Sequence, residues 1–539
     1  MKKFIYIILG MLIISIVSIT LIGGSLQKKV EQTESSDYKN NVTYNLGKLP
    51  EDLIMLDSNN LREKDILANT FEGLVNCDEN GKIVPALAES WDVSQDGTNY
   101  TFKIRKDGKW SDGSDITADD FVNFFSDILN KNTNNIFSDQ LNCIFGVEDY
   151  RKGKCDFKNV AVTALNNKTL NIRLNYPCNY FLNILSQPIY ALRNIDSKLI
   201  DWKKDYRSIM YSGSFCINNI SDSGEITLKK NSHYWNKTQV KSNSITLSSL
   251  KTSESALAAF QSSTINVFTN PPLGELKTIE GKAKYKVSPV LQGEGIAFNL
   301  KKSGIVNDNN FRKAVAASIN RNNIVKNILN STVLEADSYI PQYTGDGLNG
   351  KYINKVFFQG TEDMKKASDM MKSVVSSSYG ETSLKLIYLD TVENKKTCET
   401  IGESIKKAVG IDVKYEGYEP SKFNEKLKKG DYDMAEIKYE GYYDYPLSFL
   451  DMWRSTSQYN LYGYRNVQFD NKFMNAEFEK DGTKRIEIIK EMENMLIEDM
   501  PIIPLYFNDV IISEKNYVQG IYTNKLGNIK LDKAYLDVH

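Results

Sequence analysis

The sequence predicts an α/β fold, on three observations. From Val42 onward, strand-type alternation and helix-type periodicity succeed one another along the chain, which is the mark of helices layered on sheets. Leu384 to Leu389, Lys396 to Val409 and Ile411 to Tyr415 read in order as strand, helix and strand, a βαβ unit. The length of 539 residues suffices for two or three domains with a large buried core.

Taken in order, the elements begin with a leader. Met1-Lys2-Lys3 is a short positive segment, and Phe4 to Ile22 is an uncharged run broken only by Ser15, Ser18 and Thr20. This reads as an export signal, and its length also permits membrane spanning, which takes about 17–25 residues. Gly23-Gly24-Ser25 offers small residues for cleavage, and no cysteine follows to accept a lipid. Positive residues ahead of the run put the body outside the cytoplasm. Residues 1–24 are thus a signal or membrane anchor, and residues 25–41, polar with no long apolar stretch, a flexible stalk.

In the body, Asp78 to Gly81 reads as a tight turn between two strands. An EF-hand starting at Asn76 is excluded because its bidentate Glu would fall on Leu87. Tyr100 to Arg105 alternates as a half-buried strand. Thr117 caps a helix with acids in its first turn, and Phe121 to Leu129 continues it. Leu170 to Leu174 and Ile226 to Leu228 are further strands. From Asn309, apolar residues at three-to-four spacing as far as Leu329 predict one long helix. Tyr432 to Tyr439 is a strand, Arg485 to Ile497 an amphipathic helix, and Pro501 to Tyr506 a buried strand.

Composition removes several function classes. Lys plus Arg is 67 and Asp plus Glu 68, so no basic face argues for nucleic acid. The only histidines are His233 and His539, too few for most zinc sites or His-based catalysis. The six cysteines, at 77, 143, 155, 178, 216 and 398, are scattered and read as free buried thiols. A bridge between Cys143 and Cys155 is the one pairing close in sequence. Gly345 to Gly350 fits G-x-G-x-x-G, but lacks the strand before and helix after that a dinucleotide requires. No nucleophile elbow, phosphate loop or H-E-x-x-H occurs. An enzyme reading therefore has no residue to carry it, and no cofactor or metal is implied.

From Phe71 to Leu129 the chain resembles the family 5 extracellular solute-binding proteins, the oligopeptide, dipeptide and nickel receptors of ABC importers. Phe71-Glu72-Gly73-Leu74-Val75, Pro85 to Trp91, Asp96-Gly97, Lys109 to Gly113 and Thr117 to Phe121 carry the likeness. It continues through Tyr211 to Phe215, Tyr234-Trp235, Phe298-Asn299, Phe311 to Ala314, Ile319-Asn320-Arg321, Asp431 to Met434, Tyr445-Pro446 and Ile502 to Tyr506. The resemblance implies a two-lobed, type II periplasmic-binding-protein-like fold with an extra subdomain in the first lobe. Lobe I would take 42–71, 191–291 and 506–539, the subdomain 72–190, and lobe II 292–505. Ligand would lie in the interlobe cleft, and the lobes would close on it. The implied function is an extracytoplasmic, cell-surface or periplasmic receptor, tethered by its N-terminal segment. It would pass a peptide or peptide-like solute to ABC permease and ATPase subunits. The alternative is a membrane-tethered peptide sensor no longer dedicated to import.

One departure bears on the ligand. The family's peptide receptors carry Gly-Trp-x-Ala-Asp-Tyr-x-x-Pro, whose Asp pairs with the peptide α-amine. Aligned on Pro446, this chain has Tyr439 for the Trp and Tyr442 for the Asp. Glu440 or Asp444 is then expected to supply the missing charge, since a buried ammonium without one is costly. Asn59, Asn60 and Leu61 match where the first strand lends backbone groups to the ligand. Tyr439, Tyr442, Tyr443 and Tyr445 either line the ligand or pack the lobe interface.

Overall fold

Two long antiparallel strands run the length of one continuous sheet. In the computed structural model, which describes residues 41–58, 60–280, 283–358, 360–374 and 383–537, these are Lys284–Phe298 and Ile502–Glu514, of 15 and 13 residues. They form the middle of an eleven-stranded sheet, in which the short strand Leu334–Glu335 pairs with Ile502–Glu514 off the main order. On one side follow Met434–Glu440, Ser383–Leu389 and Asp412–Tyr418. On the other follow Val267–Thr269, Val42–Asn45, Ser244–Ser248, Ile226–Lys230 and Phe215–Ile220. The two groups lie on opposite sides of the long pair, which alone joins them within the sheet.

The ladder of that pair is broken where it crosses. Lys284 to Pro289 pairs with Glu514 to Asp509, and Gly293 to Ala297 with Phe507 to Ile502, with the register slipping between Pro289 and Gly293. Proline has no amide hydrogen to donate, so the slip falls where the ladder is already weak. At Gly293 a Cβ would lie 2.4 Å from the Tyr439 ring, which is why glycine stands there.

Beyond the crossing, Ser383–Leu389 and Asp412–Tyr418 pair in parallel around the helix Val392–Val409. Thr391 caps that helix, its hydroxyl accepting from the Asn394 amide at 3.1 Å, and Gly410 ends it at φ 78°. This is the βαβ unit expected from the sequence. The subdomain is a four-stranded antiparallel sheet, Ala88–Val93, Asn99–Ile104, Thr169–Arg173 and Val162–Asn166 in spatial order. The helix Ala118–Leu129 covers it, opened by a reciprocal capping box between Thr117 and Asp120. The helix apolar face, Phe121, Phe124, Phe125 and Ile128, is buried with Phe102, Leu170 and Ile172, driven by removal of that surface from water. Asp78 to Gly81 turns between the short strands Val75–Cys77 and Ile83–Pro85.

The single helix expected over 309–329 is corrected. Asn309–Ser318 stops, Arg321–Asn323 restarts, and Ile324–Ile328 is wound as a π-helix. The cause is Asn320, whose side chain accepts from the Asn323 amide at 2.8 Å and so begins a new helix. All six cysteines are free, so Cys143 and Cys155 are not bridged. The expected leader and stalk lie outside the described residues. Among the described residues, no helix is long and apolar enough to cross a membrane.

Candidate functional site

At the crossing, the two lobes face each other across a cavity of about 40 Å3. Lys64, Gln187, Gln292, Glu440, Tyr442 and Asn528 are among its walls. The cavity holds a few waters, each needing roughly 10–15 Å3, and has no room for a dipeptide. Gln292 and Glu440 are paired across adjacent strands, and the Gln292 amide donates to the Glu440 carboxylate at 3.4 Å.

The opposite wall is the start of helix Lys64–Thr70. A buried network fixes it to the C-terminal segment. Asp65 accepts from the Tyr44 hydroxyl at 2.7 Å and from the Ile529 amide at 2.9 Å, and pairs with Arg62 at 3.1 Å. Arg62 also donates to the Gly527 carbonyl. These contacts put the half-buried Lys64 side chain in the cleft. Its ammonium stands 4.5 Å from the Phe137 ring centroid. Burial holds the ammonium below the ordinary lysine value, against the attraction of Glu440 and then Glu63.

The residues singled out from the sequence separate into three groups. Leu61, Glu440 and Tyr442 line the cavity. Tyr442 meets Phe137 edge-on at 5.8 Å and Tyr459 at 5.6 Å. It also lines a second cavity of about 40 Å3 between the subdomain and lobe II. Asn60 is exposed and its side chain accepts from the Arg62 amide at 3.0 Å, so it shapes the turn into the helix. Asn59 lies outside the described residues.

The remaining four are packed against other partners. Of the two readings open for Tyr439, lining the ligand is corrected. Its ring is 2% exposed, lies 4.6 Å from the Tyr339 ring at 14°, and donates its hydroxyl to the Tyr339 carbonyl at 3.1 Å. The residue sits on the strand face that points into lobe II. Tyr443 stacks on Tyr180 of the subdomain at 5.4 Å, and Tyr445 stacks there too at 4.4 Å. Both therefore pack against the subdomain, and Tyr443 also lines the second cavity. Asp444 is 7% exposed and engaged on both oxygens. It accepts from the Gly345 amide at 2.7 Å and pairs with Lys525 at 2.8 Å. It is therefore not the free acid that a ligand ammonium would need. Gly345 to Gly350 is a loop around Asp346, which accepts from the Leu348 and Gly350 amides at 2.7 and 2.9 Å.

More contacts join the subdomain to lobe II. Buried Arg485 donates to Asn179 and to the Pro177 carbonyl, the latter at 2.7 Å. The Tyr459 hydroxyl donates to the Ile136 carbonyl. The second cavity holds Glu477, whose carboxyl burial pushes up to about 7 against the pull of Arg454. Sequence reasoning missed Lys64, Phe137 and Lys525. Each is an ordinary residue in its local pattern, and only the tertiary fold brings it to the cleft. Among the described residues, no group of three or more His, Cys, Asp or Glu is arranged to hold a metal ion.

Comparison with known proteins gives consistent matches. The family described as bacterial extracellular solute-binding proteins, family 5 middle, matches residues 82–460. The oligopeptide-binding protein OppA of Bacillus subtilis is 28% identical over 552 residues, covering 99% of this chain and all 100% of OppA. The substrate-binding domain of an oligopeptide ABC transporter from Bacillus anthracis has a TM-score of 0.77 at 26% identity, over 92% of this chain and 98% of that one. A periplasmic oligopeptide-binding protein from Borrelia burgdorferi has a TM-score of 0.80 at 25% identity, over 92% and 99%.

Proposed function

The chain belongs to the bacterial extracellular solute-binding proteins of family 5, and on that footing we propose that it is an extracytoplasmic receptor for peptides or peptide-like solutes. It hands them to the permease and ATPase subunits of an ABC importer. It is a binding protein and not an enzyme. The observation that carries the reading is the cavity at the crossing, walled by Lys64 on one side and by Gln292 and Glu440 on the other. The names of the relatives, oligopeptide-binding over the full length of OppA, support peptides as the solute class. The description of the Bacillus anthracis structure as an oligopeptide ABC transporter favours import over the sensor alternative.

The mechanism follows from the geometry. A cavity of about 40 Å3 admits no peptide, so the lobes must part for entry and re-close on a larger content. The slipped register between Pro289 and Gly293 is the hinge in this proposal, because rotation there disturbs a ladder already interrupted. Lobe I is then 42–71, 191–291 and 506–539, with the 72–190 subdomain moving beside it, and lobe II is 292–505. The N-terminal segment keeps the receptor at the membrane beside its importer.

Native mass spectrometry of protein purified from its own source tests the reading. A co-purified peptide, or retention of peptides from a synthetic mixture, is the expected result. Retention of a non-peptide solute with no peptide bound overturns the solute class.

A further inference from the structure

The cleft contains a cation that no acid pairs directly. Lys64 Nζ makes no ion pair or hydrogen bond among the described residues, and its contact is the face of Phe137 at 4.5 Å. An aromatic face replaces part of an ammonium's hydration and offers no acceptor to its three N–H donors, on a side chain that lines the cavity. The acids that attract it, Glu440 and Glu63, make no ion pair with it and hold other partners. Glu63 accepts from Ser58 at 3.1 Å and Asn60 at 3.0 Å, and Glu440 accepts from Gln292 at 3.4 Å. Beyond Phe137 stands Tyr442, a phenol that brings no charge at neutral pH. A half-buried ammonium so placed is incomplete until an anion arrives.

We propose that Lys64 is an anion subsite of the interlobe cleft and that the ligand presents a carboxylate to it. The proposal deepens the peptide reading and rests on it. Glu440, on the opposite wall of the same cavity, fixes the rest of the ligand class. With Lys64 it leaves the cleft near neutral, so a dianion such as phosphate is repelled by Glu440 and a lone carboxylate leaves Glu440 unmatched. A zwitterion, carboxylate on Lys64 and ammonium on Glu440, satisfies both walls. A peptide provides the carboxylate from its C-terminus or from an acidic side chain.

The test uses the full-length receptor and three synthetic peptide mixtures of two to six residues. One has free C-termini, one has free C-termini and no Asp or Glu, and one has amidated C-termini and no Asp or Glu. Retention by wild type, Lys64→Met, Lys64→Gln and Lys64→Arg is read by equilibrium dialysis and mass spectrometry. Wild type is expected to retain the amidated mixture at least about tenfold less than the first mixture. Both neutral substitutions should abolish that preference and Lys64→Arg should keep it. Retention of the second mixture assigns the C-terminal carboxylate, and its loss assigns the side chain. Thermal melting checks folding, and Lys64→Met should melt no lower than wild type, since it removes a half-buried charge. Equal retention of all three mixtures by wild type, or a preference that survives in the neutral variants, overturns the anion subsite and leaves the peptide reading standing. Retention of no mixture overturns the peptide reading and the subsite with it.

Discussion

Replacing Asp444 by Asn should open the unliganded receptor. Asp444 follows the lobe II strand Met434–Glu440, whereas Lys525 lies between Tyr522–Thr523 and Ile529–Lys530 of the C-terminal segment. That segment is held to the lobe I helix through Asp65 and Asn69. In the proposed division of the chain their 2.8 Å pair therefore joins the lobes, with side-chain exposures of 8% and 24%. Asparagine still accepts from the Gly345 amide, so the substitution removes the ion pair and little else. Breaking a fully buried pair costs about 3–5 kcal/mol. The partial exposure of Lys525 brings this toward the roughly 1.5–3 kcal/mol of one hydrogen bond to a charged group. At about 1.4 kcal/mol per factor of ten, the closed-to-open ratio should fall roughly 10- to 150-fold. Single-molecule energy transfer between labels on the two lobes reads the ratio directly, and the peptide association rate should rise with the open fraction. An unchanged energy-transfer distribution alongside a lowered melting temperature would refute the reasoning, because the pair would then hold one lobe together instead of joining two.

Two further outcomes follow from the same contacts. Tyr439→Phe loses the 3.1 Å bond to the Tyr339 carbonyl; it should cost about 1 kcal/mol in urea unfolding and leave peptide affinity unchanged. Burial raises the Asp509 carboxyl to about 7 and lifts Glu436 well above the carboxylate range, with Glu294 adding to it. Both folded values exceed the unfolded ones, so the stability they contribute is complete below about pH 4 and is lost as pH rises, for Asp509 through about pH 7. Asp509→Asn should flatten the fall in melting temperature between pH 4 and 7, and Glu436→Gln should flatten it further at higher pH; a wild-type melting temperature that rises steadily across that range would contradict both.

Much of the fold was legible because its signals are local. The capping box at Thr117, the alternation of Tyr100 to Arg105 and the turn at Asp78 to Gly81 each depend on neighbours in sequence. The helix through 309–329 was misjudged for a related reason. Apolar spacing continued past Asn320, while the side chain of Asn320 competed for the backbone, and periodicity does not register that competition. The site was legible only in part. Glu440 and Tyr442 could be found because they lie at and just past the end of a patterned strand. Tyr439, one residue from Glu440, faces inward, since successive strand residues alternate sides. Asp444 looked available because its partner Lys525 is far along the chain. Lys64 was unremarkable for the same reason, its cleft neighbours Phe137 and Glu440 being brought in by the tertiary fold.

The placement of Ile502–Glu514 also dictates an order of assembly. This strand is the last long one in the chain, yet it sits in the middle of the sheet, between Lys284–Phe298 and Val267–Thr269. Strands made much earlier must wait with an empty slot between them and with their backbone groups unpaired on both sides. The lobe containing Val42–Asn45 cannot be finished until the far end of the polypeptide arrives. A chain passing N-terminus first through a membrane thus remains loose during transit and locks only on completion. A receptor cut short before Ile502 would present two sticky edges where the intact molecule has none.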